Sequence, residues 1–295
     1  MIRQVKGLQS FLRPATRLQP QAFLYFPRRH YVQACLVHPF GEWFAPNRFA
    51  WTTTLEGWYG LLAHAGYPTA LLCGPLSSLD KDHVVVVPFS EFLEEPEWAD
   101  LESFAAKGGR VILQLPTEDP VSTKRVAAKL GLAVDEVEVR KGRVDGWVLT
   151  KGDGKNGGAA YEKRVTLSEA NPLDVRARFH DNRRPALFSW GKDHWLVSAF
   201  DVGHSYNVTL RKELRGLIVS WIQPKLEPRI QVQGIDEDYR PLVEVNALQH
   251  DNRLLFICCN RSPYEWDMTV SVRGYAAGRI KVPPFESRQE LVSGA

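Results

Sequence analysis

FAAKGGRVILQLPTEDP, residues 104–120, decides how the rest of the chain is read. It holds a helix end, a glycine pair, a buried strand and a proline-bearing loop in succession. Gly108 stops a helix that Pro96 opens and that carries Trp98, Leu101 and Phe104 on one side. RVILQL at 110–115 is a strand. Asp119 then caps a further helix with Pro120 at its first position, ending at Gly131. In an open α/β sheet the loop after a strand is where ligands and catalytic groups sit, so PTEDP is the first place to look for chemistry.

Working outward, HVVVVPF at 83–89 is continuous, β-branched and bounded by turns, which suits a central parallel strand covered on both faces. TALLC at 69–73 is a short buried strand. Before it lies a helix with Thr53 and Glu56 as a capping box, Leu55, Trp58, Tyr59 and Leu62 on one face, and Gly66 and Pro68 as its stop. YVQACLVH at 31–38 reads as the first buried strand. Residues 1–30 read as a lead-in broken by Pro14, Pro20 and Pro27.

Toward the C-terminus the texture changes near residue 133. VDEVEVR and GWVLTK alternate as strands, and KGDGKNGGA at 151–159 reads as an exposed turn. RPALFSWGKDHWLVSAFDVG at 184–203 reads as a hairpin around Gly191, Lys192 and Asp193. A helix with Leu210, Leu214, Leu217, Ile218 and Trp221 on one stripe follows. Pro224 and Pro228 mark a linker, after which LVEVNAL, LLFICCN, MTVSVRG and GRIKVPP are strand after strand. The expected architecture is a flavodoxin-like, mostly parallel sheet with helices on both faces over 31–223, followed by a small antiparallel β-sandwich over 224–295.

The chain has 295 residues, 44% hydrophobic and 24% charged, with a net charge of +3. Such a small net charge gives no case for nucleic-acid binding. RKGR at 140–143 reads as a solvated turn. No apolar run approaches the roughly 20 residues of a membrane helix. The N-terminus is too polar for a signal peptide, and cytoplasmic residence is expected. Cys35, Cys73, Cys258 and Cys259 match no zinc or disulfide pattern and read as small buried hydrophobes. Cys258 and Cys259 are adjacent in a strand and so point to opposite faces.

HVVVVPF, the helix 97–107 and KGGRVIL together resemble the trimerisation domain of family 42 glycoside hydrolases, which has a class I glutamine amidotransferase-like fold. RPALFSWGKDHWLVSAFDVG resembles the hairpin that ends such domains. LLFICCNRS resembles the small C-terminal β domain, where a strand ends in an asparagine-bearing turn. The resemblance implies a homo-oligomer, a trimer in that family, acting in carbohydrate metabolism. Family members also carry a catalytic TIM barrel of about 250 residues ahead of these domains. Residues 1–30 leave room only for the exit from one. The family's catalytic carboxylates have no matching positions here, so no catalytic residue is carried over. Glycoside hydrolase activity is expected only with a barrel supplied upstream or by a partner.

The residues themselves offer few alternatives. Amidotransferase chemistry needs a cysteine on a strand-to-helix turn, and Leu115-Pro116-Thr117-Glu118 has none. PTEDP is therefore a turn plus helix cap. Cys73 ends a different strand, with no helix after it. A retaining glycosidase needs two carboxylates about 5 Å apart. Glu91, Glu94 and Glu95 follow HVVVVPF, although an acidic helix start explains them equally well. No paired histidine spacing, GxGxxG or Walker A sequence is present, so neither metal nor cofactor is expected. His38 and His204 lie near strand ends, and His38 with Glu91 forms the candidate pocket. The loop 39–51 gathers Phe40, Trp43, Phe44, Phe49 and Trp51. These rings can roof the sheet, meet a protein partner or stack on a carbohydrate.

Overall fold

The computed structural model describes residues 9–12, 14–37, 50–117, 119–139, 146–151, 153–168, 174–191 and 194–294. They fall into two compact units. One joins Met1–Gln21, Leu62–Pro68 and Pro228–Ala295; the other joins Ala22–Leu61 and Thr69–Glu227.

The chain enters the smaller unit through β1 (Thr16–Arg17). The larger unit is built on nine strands: β2 (Ala22–Tyr25), β3 (Thr69–Leu72), β4 (Val84–Val87), β5 (Arg110–Gln114), β7 (Trp147–Lys151), β8 (Asn156–Ala160), β10 (Asp174–Phe179), β11 (Pro185–Trp190) and β12 (Trp195–Ser198). Their order is β3-β2-β4-β5-β12-β11-β10-β7-β8. The sheet changes character at β12. From β3 to β12 every pairing is parallel, with Val84 opposite Arg110 and Trp195 opposite Val111. From β12 to β8 every pairing is antiparallel. The sheet is therefore mixed rather than mostly parallel. A separate ribbon pairs β6 (Val134–Val139) with β9 (Lys163–Leu167).

Six helices of eight residues or more are present among the described residues: α1 (Arg28–Val37), α2 (Ala50–His64), α3 (Glu95–Ala106), α4 (Pro120–Lys129), α5 (Val202–Thr209) and α6 (Lys212–Ile222). All four valines of β4 and all five residues of β5 are buried, as helix cover on both faces requires. Three tryptophans join α3 to the sheet. Trp98 stacks on Trp195 with centroids 6.3 Å apart, and Trp190 meets Trp195 edge-on at 5.7 Å.

Several boundaries differ from the sequence reading. Residues 31–37 are helix, not strand. A short apolar run looks alike in a strand and in a buried helix, and Pro27 is placed to precede a helix start. The first strand of the nine-stranded sheet is instead β2, inside the stretch read as a lead-in. Thr53 is no cap, because α2 is already under way at Ala50. The expected turn at 151–159 contains β8, a strand whose Gly157 and Gly158 lie close against Leu217 and Leu214. Cys73 is exposed rather than buried, because β3 is an edge strand whose Leu71 is also exposed.

Other readings agree with the structure. Pro96 stands in the first turn of α3 and Gly108 has φ +99° at its end; a capping box of Glu94 and Glu97, not read from the sequence, starts the same helix. Asp119 caps α4, accepting from the Val121 and Ser122 amides at 3.1 and 2.9 Å, and Gly131 has φ +67°. β11 and β12 form the expected hairpin turning at Gly191.

The smaller unit also contains β13 (Ile230–Gln233), β14 (Val243–His250), β15 (Arg253–Asn260), β16 (Trp266–Val272), β17 (Gly278–Val282) and β18 (Ser287–Ser293). They form two antiparallel sheets, β1-β14-β15-β18 and β13-β16-β17. Val245, Phe256 and Cys258 of the first share one core with Met268, Val270 and Ile280 of the second. Cys258 points inward and Cys259 outward; burial pushes the Cys258 thiol up to about 12. Asn260 ends β15 and holds the next turn, donating to the Tyr264 carbonyl at 2.7 Å and accepting from the Ser262 amide at 2.9 Å.

Candidate functional site

The carboxyl edge of the parallel strands is where the fold would place chemistry. Gln114, the last residue of β5, organises it. Its Oε1 accepts from Trp58 Nε1 at 3.2 Å and from the Val202 amide at 3.1 Å. Its Nε2 donates to the Pro88 carbonyl at 3.2 Å, and its own carbonyl accepts from Ser90 Oγ at 2.5 Å. Each side-chain function of Gln114 thus has a protein partner.

Asp201 lies beside this network and caps α5. Its Oδ1 accepts from the His204 amide at 2.8 Å and its Oδ2 from Thr54 Oγ1 at 2.6 Å. Burial pushes its carboxyl above the usual carboxylate range, against the opposing pull of these two bonds. The arrangement requires α2 and α5 to approach closely. A Cβ on Gly57 would stand 1.8 Å from the Gly203 carbonyl oxygen, and one on Gly203 would stand 2.1 Å from the Thr54 carbonyl oxygen. Two glycines let the backbones touch.

Outside this closed network runs a more open relay. His204 Nδ1 is 3.2 Å from Thr53 Oγ1, and His204 Nε2 is 3.6 Å from Glu162 Oε2. Glu162 holds φ +59°, a left-handed conformation costly for a non-glycine residue. An imidazole between a hydroxyl and a carboxylate can take a proton from one while the other steadies its charge. Sequence reading singled out His204 but not Thr53 or Glu162 as partners. Thr53 and His204 are 151 positions apart, and no local signal joins them.

A third cluster belongs to the helix read as a strand. Arg29 donates to Glu94 and to Glu97 at 2.5 Å each and to the Phe92 carbonyl at 2.7 Å. The buried His30 places Nε2 3.2 Å from Glu97. Burial lowers the His30 pKa despite that carboxylate. Burial, reinforced by Glu97, pushes Tyr25 up to about 12.

Of the acidic residues after β4, Glu94 and Glu95 belong to the acidic start of α3 that the sequence also offered. Glu94 binds Arg29, and Glu95 pairs with Lys129 at 2.5 Å. Glu91 sits in the single turn Ser90–Phe92, where its carbonyl accepts from Arg125. Beside it a cavity of about 430 Å³ is lined by Leu93, Glu94, Trp98, Arg125 and Lys129 among others. His38, Phe40, Trp43, Phe44 and Phe49 lie outside the described residues; Trp51 lies in the first turn of α2. Thr117, after β5, is buried, and Thr123 Oγ1 donates to the Pro116 carbonyl at 2.8 Å. Pro116 and Thr117 lead from β5 toward the Asp119 cap of α4. No group of three or more histidine, cysteine or acidic side chains fit to hold a metal occurs among the described residues. No helix among them is long and apolar enough to cross a membrane.

The same path through sheet, helices and β unit is found in solved glycosidases. The chain shares its fold with part of each. A β-galactosidase from Bacillus circulans sp. alkalophilus superposes with a TM-score of 0.68 at 14% identity, over 99% of this chain and 44% of that one. A GH42 β-galactosidase from G. stearothermophilus gives 0.66 at 13% identity, over 99% and 43%. An α-L-fucosidase isoenzyme from Paenibacillus thiaminolyticus gives 0.63 at 12% identity, over 99% and 51%. The chain spans about half or less of the length of these enzymes. No protein-family model and no curated protein matches the sequence.

Proposed function

We propose that this chain is the assembly portion of a family 42-like glycoside hydrolase, holding subunits together rather than cleaving the sugar bond. The observation that carries the reading is coverage. Almost the whole chain follows the fold of β-galactosidases, yet it accounts for less than half of each. In this reading the larger unit is the amidotransferase-like trimerisation domain and the smaller unit the terminal β domain. The catalytic barrel is supplied upstream on the native chain or by a partner. Sedimentation at micromolar concentration is expected to give a species three times 33.4 kDa. A monomer at every concentration tested would sink the assembly role.

The Thr53, His204 and Glu162 relay favours a second reading, acyl hydrolysis at the carboxyl edge of the sheet. Thr53 Oγ1 would attack the carbonyl carbon while His204 takes its proton and Glu162 steadies the imidazolium. The carbon–oxygen bond to the alcohol would break with that proton going to the alcohol, and water, deprotonated by His204, would then release the acid from Thr53. Hydrolysis of p-nitrophenyl acetate lost in both Thr53→Ala and His204→Gln supports it. No rate above buffer rejects it.

A further inference from the structure

The glycine pair of the KGGR stretch has a place in the fold that neither reading above uses. It lies at the amino edge of the parallel strands, where β4 and β5 begin. A cavity of about 300 Å³ opens there, lined by Lys81, Asp82, His83, Lys107, Arg110 and Lys225 among others. Such a volume is at the small end of those that hold a ligand.

Its charge is one-sided: four permanent cations face one carboxylate. Three lysines elsewhere pair off, Lys129 with Glu95, Lys155 with Asp153 and Lys281 with Glu265, while Lys124 and Lys151 stand singly rather than around one concavity. Lys81, Lys107 and Lys225 have no carboxylate within ion-pair distance among the described residues. Three lysines without counter-ions around one concavity repel each other, and an anion between them relieves that repulsion. Helix dipoles account for part of the pattern. Lys107 follows α3 and Lys225 follows α6, each near the negative end of a helix. That explains one lysine per helix; it does not explain Lys81.

The floor of the cavity is rigid. The Arg110 guanidinium is buried and lies over the Trp221 ring at 4.4 Å, so its planar fork is fixed in place. His83 Nδ1 donates to the Asp80 carbonyl at 3.0 Å, which fixes that ring. Gly108 keeps the rim open: its φ of +99° suits glycine, and no side chain projects from it.

We propose that this cavity binds a tetrahedral oxyanion, a phosphate or sulfate group, either free or as a monoester on a sugar. Rigid guanidinium and mobile ammonium groups around a small concavity match three or more anionic oxygens. Calorimetric titration of the full chain at constant ionic strength tests it, with inorganic phosphate, inorganic sulfate, glucose 6-phosphate and glucose. Saturable binding of at least one anion, and none of glucose, is expected. The affinity is expected to fall at least tenfold in Lys107→Glu and in Lys225→Glu, exposed positions where circular dichroism checks the fold. Lys129→Glu, a charge change elsewhere, is expected to leave it unaltered. Equal affinity for phosphate and glucose 6-phosphate identifies the free ion as ligand; a tenfold preference for the latter identifies the monoester. Absence of saturable heat for all three anions up to about 10 mM overturns the proposal. So does binding that both cavity variants leave unchanged.

Discussion

Two helices of the larger unit begin with an aspartate cap, and the two aspartates live in opposite worlds. Asp119 caps α4 in the open, its oxygens taken by the Ser122 and Val121 amides. Hydrogen bonding from Ser122, then from Val121, holds its carboxyl below the ordinary range. Asp201 caps α5 inside the protein and is pushed the other way by burial. The same local motif is thus a convenience at the surface and a fixture in the interior. The difference lies in what packs on it: α4 presents Val121 to solvent, whereas α5 begins against the backbone of α2.

The largest expected effect comes from breaking that approach. Gly203→Ala would drive a methyl group into the Thr54 backbone, which has no flexible tip to yield. A loss of about 3 kcal/mol is expected by chemical denaturation. A loss below 1 kcal/mol would mean that α2 and α5 part cheaply, contrary to a fixed interior cap. Asp201→Ala comes next. It removes a buried acceptor from the Thr54 hydroxyl and the His204 amide and should cost about 2–3 kcal/mol. Asp119→Ala frees only groups that water can reach, and should cost clearly less in the same assay. Equal losses would erase the contrast.

The pH dependence sharpens it further, because the two signs are opposite. Asp201 has a folded pKa above its ordinary 3.8. Its proton therefore favours the native state, a contribution fully present below 3.8 and lost as pH rises through the raised value. The stability of the wild type relative to Asp201→Asn should decline with rising pH over that window. For Asp119, with a folded pKa below 3.8, the contribution is present above 3.8 and lost as pH falls through the depressed value. Its comparison with Asp119→Asn should slope the other way. The smallest effect is a gain. Gly216 is exposed in the middle of α6 with nothing within 4 Å of an added Cβ, so Gly216→Ala should stabilise by about 0.5–1 kcal/mol. A loss there would show that α6, like α5, has no room to spare.

The contrast also marks the limit of what sequence conveys. Asp119 was readable because proline follows it directly and Gly131 closes the same helix. Asp201 was not, since Val202-Gly203-His204-Ser205 has poor helix propensity and α5 exists largely because another helix presses on it. The misreading of 31–37 has the same root. An apolar run carries no mark of whether it will pair with strands or lie on them. What identifies α1 is Arg29 meeting Glu94 and Glu97, more than sixty residues away. The hairpin at β11 and β12 and the alternating strands of the smaller unit were legible because their pairings are local. Of the candidate site, only His204 carried a hint.

The three tryptophans that seam α3 to the sheet have an optical consequence. Indole transition dipoles stacked at 6.3 Å and crossed at 5.7 Å couple to one another. The near-ultraviolet dichroism of the protein therefore carries a strong component from Trp98, Trp190 and Trp195. Excitation also migrates among them before emission. A spectroscopist following this band watches one seam in the molecule, where a helix lies down on β11 and β12.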